Sequence, residues 1–191
     1  MKNYFELINF KYNITELQKL FVSNKNDWVT YGTDKHMSLH TQYISLDNKY
    51  IKEILNNFQN DTIVENIKFF KTLSHCEVSP HTDKRNVAIN LPIFVDNKSY
   101  TVFYNNVNEI ENPKITIKNT IQATKAKKFI KGKVIDKFYL NNAVCLNTNI
   151  PHGVINNSDN DRIIISISFK EQFDDFEKIK KLYDTRNLTR T

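Results

Sequence analysis

The sequence predicts a mainly β fold, a sandwich or barrel of short strands with helices packed at its two ends. Three observations carry this expectation. From Ile63 onward the chain falls into short runs rich in Ile, Val, Phe, Tyr and Thr, punctuated by Asn, Asp and Pro. No helix-length pattern separates successive runs, which argues against a parallel α/β sheet. Helical periodicity is confined to the N-terminal third and to the stretch after residue 170.

Taken in order, the first helix is expected where Ile14, Leu17 and Phe21 recur on one face, with Asn13 and Thr15 able to cap it ahead of Glu16. A strand follows over Thr41–Leu46. A second helix runs from Asp47, the expected N-cap, to Phe58, with Ile51, Ile54, Leu55 and Phe58 on one side. Candidate strands are Ile63–Leu73, Asn86–Val95, Tyr100–Tyr104, Lys114–Ile117, Lys133–Leu140, Ala143–Leu146 and Arg162–Phe169. The lysine-rich segment Gln122–Lys131 reads either as a mobile basic loop or as an edge hairpin. A closing helix is expected over Glu171–Tyr183, where Phe173, Phe176, Ile179 and Leu182 cluster. The chain is one domain: an N-terminal α/β support over 1–62, a β core over 63–170 and a C-terminal helix over 171–191.

With 191 residues, the chain is long enough to bury a core without disulfides. Its two cysteines, Cys76 and Cys145, form no disulfide framework or zinc spacing and read as small buried hydrophobes. A reduced, cytoplasmic setting is expected. No apolar run approaches the roughly 20 residues that a membrane span needs, so no membrane partner is expected. The net charge of +6 comes from 27 basic residues, of which only four are Arg. Lys, Asn and Ile abundance with scarce Gly points to compositional bias, so the charge is read as a dispersed, solvated surface and nucleic acid is only weakly favoured.

Two of the five histidines sit in informative company. In Pro80-His81-Thr82-Asp83, an extended backbone projects His81 and Asp83 to one face. A second imidazole, His152, follows Asn149-Ile150-Pro151 just beyond an expected strand. Two neutral nitrogens and one carboxylate on one face of a metal leave the other face open, the arrangement of non-haem Fe(II) oxygenases. Ten residues beyond His152, Arg162 leads an otherwise apolar strand on which Ile164, Ser166 and Ser168 share its face. Buried without a partner, that guanidinium would be costly, so it either sits at a rim or meets an anion. Its planar fork of donors suits the distal carboxylate of a dicarboxylic acid.

With these residues the chain resembles the Fe(II)- and 2-oxoglutarate-dependent oxygenases over roughly residues 63 to 170. The runs from His81 to Ile93 and from Pro151 to Arg162 look most like the prolyl-hydroxylase-like and aspartyl/asparaginyl-hydroxylase-like members. The resemblance implies a double-stranded β-helix, a jelly-roll, cupin-like fold, with flanking N-terminal and C-terminal helices. It further implies Fe(II) held by His81, Asp83 and His152, 2-oxoglutarate held by Arg162, and dioxygen as co-reactant. The reaction implied is hydroxylation of an unactivated C–H bond, with decarboxylation of the co-substrate to succinate. Many members carry Arg-x-Ser at the co-substrate site, but here Ile164 stands two after Arg162. Ser166, Tyr104 or Asn90 is then the polar partner of the co-substrate.

Around this centre, Arg85 either reaches the site mouth to hold an acidic substrate group or forms a plain surface salt bridge, and His40 is a candidate lining residue of a substrate opening. His36 and His75 have no partner pattern. Trp28 with Tyr31 reads as core before stacking platform. Lys125, Lys127, Lys128, Lys131 and Lys133 read as a solvated hairpin before a phosphate contact. The N-terminal segment and the loops 84–90, 105–113 and 122–131 are expected to select the substrate, a small molecule, a peptidyl side chain or, less favoured, a nucleobase. A cupin-type barrel that binds metal or a small molecule without catalysis is the alternative.

Overall fold

The computed structural model describes residues 4–23, 28–31, 39–58, 60–105, 108–110, 114–117, 120–123, 127–130 and 132–188. The N-terminal support comprises β1 (Phe5–Leu7), α1 (Ile14–Ser23), β2 (Val29–Tyr31), β3 (Leu39–Ile44) and α2 (Lys49–Leu55). The core strands follow: β4 (Val64–Thr72), β5 (Cys76–Thr82), β6 (Val87–Phe94), β7 (Ser99–Asn105), β8 (Asn108–Ile110), β9 (Lys114–Ile117), β10 (Thr120–Ala123) and β11 (Lys127–Ile130). Last come β12 (Lys133–Phe138), β13 (Val144–Asn147), β14 (His152–Asn156), β15 (Arg162–Phe169) and α3 (Phe176–Leu188).

A seven-stranded sheet runs β1-β13-β6-β15-β4-β3-β2 and a six-stranded sheet runs β12-β7-β14-β5-β11-β8, with antiparallel pairing throughout. Over β4–β7 and again over β12–β15 the chain switches sheet at every strand. This alternating wind makes the core the double-stranded β-helix that the resemblance implied, with helices N-terminal and C-terminal to it.

Alternation along β15 sets the layers. Ile163, Ile165, Ile167 and Phe169 join Leu17 of α1, Ile51 and Ile54 of α2 and Ile179 of α3 in the larger core. The helices therefore cover the outer face of the seven-stranded sheet. On its inner face Ile164 joins Phe103, Phe138, Leu140, Val144 and Leu146 in a second core between the sheets. Arg162 and Ser166 share that inner face.

Several expectations need correction. The second helix begins one residue later than expected: Asn48, not Asp47, caps it, its side chain accepting from the Tyr50 N–H at 3.0 Å. Residues 61–63 form a short 3₁₀ turn before β4. Strands β5 and β14 were not expected. Gln122–Lys131 is not a single loop or hairpin among its described residues: Gln122 and Ala123 end β10, which forms a two-stranded antiparallel hairpin with β9, whereas β11 lies inside the six-stranded sheet between β5 and β8. Lys125, Lys131, His36 and part of the 105–113 loop lie outside the described residues. Trp28 is a core ring, edge-on to Phe21 at 5.8 Å. No helix among the described residues is long and apolar enough to cross a membrane.

Candidate metal centre

The centre forms where β5 and β14 run side by side. His152 lies opposite His81, but Val154 lies opposite Val78, so β5 carries one residue more than β14 across this interval. Such a bulge resets the alternation of the longer strand. Val78 and His81, three apart, consequently point to the same cavity as His152 and Val154. Gly153 sits at the crossing: a Cβ there would lie 2.6 Å from the Val78 carbonyl oxygen. Only glycine lets the two backbones approach this closely.

Both imidazoles are held by backbone carbonyls. His81 Nδ1 donates to the Ser79 carbonyl at 2.8 Å, and His152 Nδ1 donates to the Ile150 carbonyl at 2.9 Å. A carbonyl only accepts, so each Nδ1 carries a proton, and in the neutral ring Nε2 presents a lone pair, the tautomer a metal requires. Both Nε2 atoms face Asp83 Oδ1, at 3.4 Å from His81 and 3.9 Å from His152. The three candidate ligand atoms lie within 4.8 Å of one another. Asp83 itself follows the end of β5, where its N–H donates to the Thr148 carbonyl at 3.2 Å.

Electrostatics keep the acid ionised. Burial pushes the Asp83 carboxyl upward, but the Arg85 guanidinium, the hydrogen bond from His81 and the two imidazoles outweigh it and hold the group well below the carboxylate range. Burial, with His81 nearby, lowers His152 to about 4, so it is neutral at ordinary pH. Burial opposes the charge on His81 as well, but Asp83 and the Ser79 carbonyl overcome it and raise that pKa.

The cavity, about 60 Å³, is lined by Arg162, Asn90 and Ser166 together with apolar Phe70, Val78, Val154, Leu146 and Ile164. Arg162 is 4% exposed, its Nε has no hydrogen-bond partner, and burial lowers it to about 10.

No protein-family model and no curated protein matches the sequence. Solved structures match in shape. The epimerase SnoN, in complex with Fe3+, alpha ketoglutarate and nogalamycin RO, aligns with a TM-score of 0.57 over 90% of this chain and 80% of its own, at 7% identity. A prolyl hydroxylase from Trichoplax adhaerens, in complex with a hypoxia inducible factor oxygen degradation domain peptide fragment, aligns at 0.54 over 100% of this chain and 89% of its own, at 12% identity. The fold is that of the 2-oxoglutarate- and Fe(II)-dependent oxygenases.

Within this oxygenase fold the sequence-predicted residues part into two groups. His81, Asp83, Arg85, His152, Arg162, Ser166 and Asn90 all line one cavity. Ser166 Oγ is already engaged, donating to Asn90 Oδ1 at 2.6 Å and accepting from Arg85 Nη2 at 3.0 Å. Tyr104 does not reach the cavity. It occupies the opposite face of β7 from the cavity-lining Thr101, beside Gly153. His40 alternates with the lining residue Leu39 and shares the face of Ile44, which packs toward the helices. Arg85 lines the cavity too, but its guanidinium is bound up in an ion pair with Asp83 and in hydrogen bonds to β15. Its Nε donates to Asp83 Oδ2 at 2.9 Å, Nη1 to Ser168 Oγ at 2.7 Å and Nη2 to Ser166 Oγ. Sequence reasoning missed this role, although a scarce arginine two residues after the candidate acid was the available signal.

Proposed function

We propose that this protein is an Fe(II)- and 2-oxoglutarate-dependent dioxygenase, a hydroxylase of a small-molecule or peptidyl substrate. The observation that carries the reading is the unpartnered, buried Nε of Arg162 in the same cavity as the His81/Asp83/His152 cluster. A buried guanidinium lacking an anion is unfavourable, and a dicarboxylate would complete it. The donor set suits the metal: two imidazole lone pairs and one carboxylate oxygen are a three-ligand site with open positions. SnoN in complex with Fe3+ and alpha ketoglutarate, and a prolyl hydroxylase as the second neighbour, support the same reading.

Fe(II), 2-oxoglutarate and dioxygen together supply the oxidation of an unactivated C–H bond, with release of CO2 and succinate. The chain contributes binding and order. His81 and His152, their rings fixed through Nδ1, offer Nε2 to the metal, and Asp83 offers Oδ1. Arg162 pairs with the distal carboxylate, and the apolar walls of Phe70, Val78, Val154 and Ile164 exclude water.

Asp83→Ala tests the assignment and should abolish succinate formation; undiminished turnover would refute it. Anaerobic titration of Fe(II) with 2-oxoglutarate should produce a weak visible charge-transfer band. Metal uptake without any dependence on the oxo acid would instead support a cupin-type binding protein. A nucleic-acid substrate would reveal itself by affinity that falls steeply with salt.

A further inference from the structure

The outward oxygen of the candidate acid is not left to solvent. Asp83 Oδ2 receives Arg85 Nε at 2.9 Å, so only Oδ1 faces the two imidazoles. The same guanidinium reaches across to β15, donating to Ser168 at 2.7 Å and Ser166 at 3.0 Å, and Ser166 is in turn fixed on Asn90 of β6. Its plane lies over the Phe70 ring, 5.6 Å from the centroid. Behind it, Thr148 Oγ1 donates to the Arg85 carbonyl at 2.6 Å. Every nitrogen of the guanidinium therefore has a protein partner, and those partners lie on both sides of the gap between the sheets.

Resting on the metal-site reading above, we propose that Arg85 is a positioning residue. It selects Oδ1 of Asp83 as the single ligating oxygen and fastens that carboxylate, which lies beyond the end of β5, to the seven-stranded sheet. Two features favour this over a substrate-binding role. The fork is already spread over three acceptors, and the side chain is only 18% exposed. A lysine cannot take its place, because an ammonium lacks the rigid fork needed to hold a carboxylate and two hydroxyls in one plane.

Co(II) is the probe: the full-length protein is titrated, with binding followed by the visible d–d bands and by competition with a chelating dye. Wild type should take up one equivalent and His152→Ala should lose it. If those two proteins bind alike, the metal-site reading itself fails. Arg85→Gln should weaken Co(II) binding by about 10- to 100-fold, the usual cost of removing a partner of a metal ligand, and should shift the d–d bands as the carboxylate turns. Arg85→Lys, which keeps the charge and guards against a variant that fails to fold, should show the same weakening and the same spectral change. Wild-type affinity with unchanged bands in either folded variant would overturn the proposal while leaving the metal site standing.

Discussion

Replacing Arg162 with Met should make the protein more stable and functionally inert at once. Burial lowers the guanidinium by between two and three pH units, to about 10. At about 1.4 kcal/mol per pH unit, keeping the cation in that cavity costs roughly 3 kcal/mol. Because the pKa is depressed, the penalty is fully present at neutral pH and fades only as pH rises past about 10. Methionine keeps the apolar stem and drops the charge. The ligand-free variant should therefore gain on the order of 1–3 kcal/mol, a rise in Tm of roughly 2–12 °C for a chain of this size. Wild type loaded with Mn(II) should instead gain from 2-oxoglutarate, by about 2.7 kcal/mol at a hundredfold excess over Kd, and the variant should gain nothing. The assay is thermal unfolding with and without Mn(II) and 2-oxoglutarate. A ligand-free variant less stable than wild type, or one that 2-oxoglutarate still stabilises, would refute the reasoning.

Two further outcomes follow from the centre. Gly153→Ala places a Cβ 2.6 Å from the Val78 carbonyl oxygen, so β14 and β5 must separate. Stability should fall by about 1–3 kcal/mol, and Co(II) affinity should fall with it, since the displaced strands carry His152 and His81; an unchanged melting curve would show that the strands yield freely. The raised pKa of His81 means that metal must displace a proton there, whereas His152, at about 4, is already neutral. Co(II) affinity should therefore climb about tenfold per pH unit below the His81 pKa and level off above it, and calorimetry across a pH series giving a flat or inverted profile would contradict this.

Much of this arrangement was legible in residue pattern alone. Strand β15 was read at its observed bounds because Arg162 and the seven β-branched, aromatic or small residues after it begin directly after a polar turn. Its alternation correctly separated Arg162 and Ser166 from Ile163, Ile165 and Ile167. Strand β5 was not recognised, because Ser79 and Pro80 break its apolar rhythm and the bulge there resets which side chains point inward. Strand β14 was hidden by Gly153, a residue that weakens strand propensity and is present here for close backbone approach. Tyr104 and His40 were candidates by residue type, and neighbouring positions on their strands face the cavity instead. The placement of Arg85 depends on contacts with Ser166 and Ser168, more than eighty positions away, and no local pattern carries that information.

The two imidazoles belong to one sheet, while the carboxylate is tied through a guanidinium to the other. An ion held by all three is thus a rivet through the sandwich: loading it stiffens the seam between the layers, and any splaying of those layers loosens the ion first. On gentle heating, metal should leave before the barrel melts.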